Sequence, residues 1–110
     1  DCSDDIIKIK SPKEIMDLVY DAAVSTDLFE LGDIKVRINP FEHYRTGIGD
    51  TPESFIHVFA NIMEGRTVSQ KKRLSVKIVS QLNTVFPKVP ILSINIRDFE
   101  KATYCNKAML

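Results

Sequence analysis

Apolar residues alternate with polar ones in three stretches of the chain and recur at helical spacing in two. Ile34, Val36 and Ile38 alternate with Lys35 and Arg37, the period of a strand with one buried and one cationic face. Over residues 54–63, Ile56, Val58, Ala60 and Ile62 mark one face and Phe55, His57, Phe59 and Asn61 the other. Both faces carry apolar groups, which predicts a central strand covered on both sides. After Pro90, Leu92, Ile94 and Ile96 alternate against Ser93, Asn95 and Arg97. The helical stripes are Ile15, Leu18, Val19, Ala22 and Ala23, then Leu74, Ile78, Val79, Leu82, Val85 and Phe86. Ser11-Pro12-Lys13-Glu14 starts the first helix with a cap, a proline suited to the first turn and a capping box. Thr67 and Gln70 form the same box before the second helix, and Pro87 ends it. Thr46 to Pro52 reads as a loop. Residues 101–110 read as irregular chain or a short extra strand.

The order is therefore helix, strand, strand, helix, strand. A strand before the first helix completes β-α-β-β-α-β. Ile6 to Lys10 alternates and is one candidate for it; a segment upstream of Asp1 is the other. Either choice predicts a single α+β domain over residues 1–110, with a mixed four-stranded sheet and two helices on one face. The second sheet face, where Phe55 and Phe59 point, needs a cover, and another subunit is the simplest one.

Charge narrows the function. Lys plus Arg equal Asp plus Glu at 15 each. That balance gives no electrostatic footprint for nucleic acid or for an anionic membrane surface. No apolar run approaches the roughly 20 residues that span a bilayer, and the first residues, lacking a basic segment followed by an apolar one, are not expected to be a secretory signal. Cys2 and Cys105 read as two isolated thiols of a cytoplasmic protein. The chain opens on Asp1 rather than Met, and a preceding segment is expected.

Three cations are the candidates for chemistry. Arg66 follows a turn glycine at a helix start, where backbone N–H groups and the helix dipole favour a carboxylate. Lys35 and Arg37 share a strand face and can hold an anion between them. The plain alternatives are a solvated turn arginine and an ordinary solvent face. Lys71-Lys72-Arg73 reads as the solvated face of the second helix. His43 and His57 stand at no metal-ligand spacing from each other or from either cysteine, and Cys2 has no identifiable histidine partner. No phosphate loop, nucleotide fingerprint or zinc pattern is present, and no cofactor is expected.

The run Asp1-Cys2-Ser3-Asp4-Asp5-Ile6, the Gly65-Arg66-Thr67 segment opening the second helix, and Leu92-Ser93 with Thr103 and Asn106 in the tail resemble the 5-carboxymethyl-2-hydroxymuconate isomerases of the tautomerase superfamily. That resemblance implies the tautomerase-like β-α-β-β-α-β fold and a homotrimer whose sheets line a central interior. It implies cofactor-free isomerisation of an unsaturated carboxylate in the breakdown of aromatic acids. The general base in such enzymes is the amine of an N-terminal proline, and arginines hold the substrate's carboxylates. Arg66 matches the family's arginine at the second helix start. Lys35 stands where the family often has an arginine, and Arg37 falls at a further basic position. The proline has no counterpart here, because the matching run begins a few residues after it. The resemblance also makes Ile6 to Lys10 a connection rather than the first strand. Two other functions fit the same residues: a tautomerase for other enol acids such as phenylpyruvate, and a non-catalytic oligomeric domain that binds small acids.

Overall fold

A computed structural model describes all 110 residues. Four strands form one mixed sheet in the order β2-β1-β3-β4. They are β1 (Cys2–Ser3), β2 (Pro40–Phe41), β3 (Phe55–Met63) and β4 (Ile91–Phe99). β1 runs parallel to β2 and antiparallel to β3, and β3 runs parallel to β4. The helices are α1 (Ile6–Ile9), α2 (Pro12–Val24) and α3 (Val68–Val85). The expected α+β sheet with two long helices is what the chain forms.

Local chemistry places the helices where the caps predict them. Ser11 Oγ accepts from the Glu14 amide at 3.2 Å, and Glu14 Oε1 accepts from the Ser11 amide at 3.3 Å. Thr67 and Gln70 repeat this reciprocal pairing at 3.1 and 2.8 Å. Each box satisfies two donors that a helix N-terminus otherwise leaves open. Gly65 turns β3 into α3 at φ +119°, a conformation costly for any side chain.

The core lies between one sheet face and the helices. Ile56 and Ile62 of β3 meet Ile15, Ala22 and Ala23 of α2 and Leu74, Ile78 and Leu82 of α3, with Ile6 and Phe86 closing the ends. Every one of these is buried. The α3 stripe read from the sequence is thus the core stripe. Leu82 and Ile6 are wholly inaccessible, which for side chains of this size is worth about 1.5–3 kcal/mol each.

Four of the expected features come out as follows. Ile6 to Ile9 is a short helix, not the first strand, because Asp4 and Asp5 turn the chain out of the sheet into α1. Ile34 to Ile38 is extended with its apolar residues toward the core, yet joins no ladder; only Pro40–Phe41 pairs, with β1. The second face of β3 is open within the chain, with Phe59 56% exposed. The tail forms two 3-10 turns, Lys101–Thr103 and Lys107–Met109, and no strand.

Candidate functional site

β1 is two residues long, so beyond it the edge of β3 that faces away from β4 has no ladder partner, a gap in the pairing. β3 pairs with β4 along all nine residues, from Phe55↔Ile91 to Met63↔Phe99. On its other edge it meets only the start of the chain. The His57 amide donates to Asp1 O at 2.8 Å and His57 O accepts from Asp1 N at 2.9 Å. Backbone groups alternate in direction along a strand, so those of Phe59, Asn61 and Met63 face the same edge as those of His57. Across the gap, Asn39 O accepts from the Cys2 amide at 3.1 Å. By the same alternation Arg37 and Lys35 aim their backbone groups into it. Residues 34–38, and 59–63 on that edge of β3, are left without ladder partners.

The sheet face around this gap is cationic and polar. Ile34 and Ile38 pack on the core, which leaves Lys35 and Arg37 on the open face, both exposed. Arg97, opposite Asn61 in the ladder, lies on that face too. None of the three is in an ion pair; the chain's ion pairs are Lys13–Asp17 and Lys71–Asp98. Lys35 and Arg37 are therefore two exposed cations outside any ion pair, two residues apart on one segment.

Arg66 is placed differently. Its guanidinium donates from Nη2 and Nε to Leu28 O at 2.7 and 3.3 Å and from Nη1 to Met63 O at 3.2 Å, and it stacks 4.6 Å over the Phe29 ring. Three of its five N–H groups thus tie the β3–α3 turn to the segment after α2. Met63 O is the last acceptor on the gap edge of β3, so the guanidinium stands at the gap's far end. Neither the turn pattern nor the charge pattern announces this second partner, because Leu28 is remote in sequence. Arg73, read as solvated, does a similar job: its Nη2 donates to Thr26 O at 2.6 Å.

His57, on β3, is hydrogen-bonded through both ring nitrogens. Its Nδ1 lies 2.6 Å from Ser93 Oγ and its Nε2 2.6 Å from Asn95 Oδ1, with the Phe59 ring edge-on at 4.4 Å. It bridges β3 and β4 on the open face. Cys2 is a buried free thiol whose pKa is raised, first by burial and then by the nearby Asp5 and Asp4 carboxylates. A thiol held protonated is a poor nucleophile. Asp5 lies at the corner between β1 and α1. Burial pushes its carboxyl up, but hydrogen bonds from Ser3, Ser54 and its own backbone, with the Lys8 charge, outweigh this and hold it below the usual carboxylate range.

This sheet has two parallel pairs joined antiparallel at the centre and two helices on one face. Three solved structures are similar. One is Pt0534 inactivated by 2-oxo-3-pentynoate, with 22% identity, TM-score 0.68, covering 89% of this chain and 82% of that one. The second is a fused 4-OT asymmetric trimer, with 18% identity, TM-score 0.69 and coverage of 92% and 83%. The third is a member of the cis-3-chloroacrylic acid dehalogenase family, with 18% identity, TM-score 0.67 and coverage of 89% and 71%. At these identities the likeness is one of fold. No curated protein sequence matches. The model of the 5-carboxymethyl-2-hydroxymuconate isomerase family matches residues 1–109. The chain belongs to that family, which is one of isomerases. No helix is long and apolar enough to cross a membrane.

Proposed function

We propose that the protein is a cofactor-independent isomerase that moves a proton within an unsaturated carboxylate of the 5-carboxymethyl-2-hydroxymuconate kind, in the cytoplasmic breakdown of aromatic acids. The gap in the sheet carries this reading. The registers Cys2↔Ile56 and Cys2↔Pro40 extend upstream to put about five further residues between Ile34 and Ile62. A strand preceding Asp1 fills that space. The family's N-terminal proline would then lie at the gap's far end, near Arg66 and the start of the Lys35–Arg37 face.

The chemistry follows from that placement. A proton shift across a double bond needs a base with a pKa near neutrality. A terminal amine titrates near 8 in water, and burial beside cations lowers it. Lys35 and Arg37 have free charge for the substrate's carboxylates and for the dienolate as it forms. Arg66 enters through its two remaining N–H groups and its effect on the amine. Lysine is a compact point charge where arginine offers a fork, so the substrate contact at Lys35 is single rather than bidentate.

The assembly belongs to the same reading. The chain exposes 7834 Å², whereas a compact monomer of 12.5 kDa exposes about 6,200 Å². Filling the gap takes part of the excess. The rest is of the order of the ~800 Å² that a protein contributes to one standard interface, and a homotrimer whose open sheet faces turn inward supports covering Phe59. The testing experiment uses protein made from the complete gene. Its N-terminal residue is sequenced, and ketonisation of a 2-hydroxymuconate-type dienol is followed by loss of ultraviolet absorbance. The expected result is an N-terminal proline and strong acceleration that is lost on replacing it with alanine. An unprocessed or different N-terminus with no acceleration refutes the reading and leaves small-acid binding.

A further inference from the structure

The chain that leaves α2 is clipped to the start of α3 by two arginines. Asp27 stands at φ +57°, in the left-handed region that a short polar side chain tolerates. The carbonyls on either side of it both accept from guanidiniums. Arg73 Nη2, in the second turn of α3, donates to Thr26 O at 2.6 Å. Arg66 Nη2 and Nε donate to Leu28 O at 2.7 and 3.3 Å. The turn's own backbone amides bond only back to α2, Thr26 N to Ala23 O and Asp27 N to Val24 O. Leu28 and Phe29 add apolar contacts to the core. The hydrogen bond that ties the turn to α3 itself comes from Arg73.

This turn is the seat of Arg66. Leu28 O, Met63 O and the Phe29 ring set the plane of its guanidinium, and so the direction of its two remaining N–H groups. A fork of donors depends on alignment, because hydrogen bonds weaken steeply as they bend. The geometry points to Arg73 as a positioning residue: by holding Thr26 O it fixes the Leu28–Phe29 seat that aims Arg66 at a substrate carboxylate. The inference rests on the carboxylate role proposed for Arg66 above. One donor to one carbonyl is all that position 73 requires, so lysine serves there, whereas position 66 needs the fork.

The probe is cis,cis-muconate, a dienedioate without the enolic hydroxyl. It is titrated calorimetrically into protein made from the complete gene and into its variants, with folding checked by circular dichroism. Arg73 is exposed on its helix, where alanine suits the backbone. Arg73→Ala is expected to weaken binding about 3- to 10-fold, the scale of coupling within one hydrogen-bond network. Arg73→Lys should restore it, and Lys72→Ala, which removes an exposed neighbouring charge outside any ion pair, should leave it unchanged. In an Arg66→Ala background, Arg73→Ala should cause no further loss. A residue that only stabilises the fold would lower the urea midpoint and leave affinity alone. Parent affinity in Arg73→Ala, with weakened binding in Arg66→Ala, therefore overturns the positioning role and leaves the proposed function standing. Losses that add in the double variant, or an equal loss in Lys72→Ala, overturn it too. Parent affinity in Arg66→Ala, or a parent that binds no cis,cis-muconate, removes the carboxylate role of Arg66 and this inference with it.

Discussion

Replacing Arg66 with alanine tests whether its guanidinium mainly braces the fold. The substitution removes one bond of 2.7 Å and two of 3.2–3.3 Å to Leu28 O and Met63 O, and the stack on Phe29. A hydrogen bond from a charged donor is worth about 1.5–3 kcal/mol net, and a cation over a ring about 0.5–1 kcal/mol at an accessible site. Nε and Nη2 share the Leu28 carbonyl and two of the three bonds are long, so counting one full-strength bond and the stack, the loss should total about 2–4 kcal/mol. With a urea slope of about 2 kcal/mol per M, the unfolding midpoint should fall by about 1–2 M at unchanged slope. Protein concentration is held fixed, because association shifts the midpoint by mass action. Arg66→Lys should recover less than half of the loss, since one ammonium cannot span two carbonyls and stack as well. A midpoint within about 0.3 M of the parent, together with loss of carboxylate-inhibitor binding in native buffer, would refute the brace and assign the whole guanidinium to the ligand.

Other outcomes follow from the same structure. Arg37→Ala should weaken a dicarboxylate inhibitor by about 10- to 100-fold, the worth of one charged contact; titration calorimetry showing unchanged affinity would remove Arg37 from the site. Leu82→Ala empties the middle of the core and should cost about 2–5 kcal/mol in urea unfolding. Asp5 has a folded pKa below its unfolded value of 3.8, so its contribution is complete above that value and is lost as pH falls through the lowered folded pKa. Asp5→Asn should therefore flatten the decline of the urea midpoint below about pH 4; an unaltered slope would show that other carboxylates carry it.

Much of the fold could be read from short-range chemistry. The Ser11–Glu14 and Thr67–Gln70 boxes fix both long helices, and the Leu74-Ile78-Leu82-Phe86 stripe is the core itself. Ile34 to Ile38 alternates like a strand but pairs with nothing, because alternation reports burial of a face and not the presence of a hydrogen-bonding neighbour. The short α1 defeats periodicity for another reason: Ile6 to Ile9 is too brief for a period of two to be told from one of 3.6. Lys35 and Arg37 were legible as exposed cations of one alternating segment, because residues two apart need no tertiary information to share a face. The carbonyl that holds Arg66 lies 38 residues away, and the two acceptors of the His57 ring sit on a strand 36 to 38 residues distant. Such partners follow from the crossover of the chain, which composition and spacing leave open.

The nine-residue ladder between β3 and β4, with α3 crossing between them, makes the chain unequal in time as well as in space. Residues 55–99 hold a complete parallel pair and its connecting helix in one contiguous stretch, whereas β1 and β2 contribute two residues each. Protection from solvent exchange follows such cooperative units. The amides of β3 that face β4 and those of mid-α3 should be the last to exchange, opening only with global unfolding. The segment bearing Lys35 and Arg37 should open far more readily. The edge that carries Lys35 and Arg37 is then the loosest part of the fold, and a ligand or a neighbouring strand bound along it would be felt there first, as slowed exchange across residues 34–39.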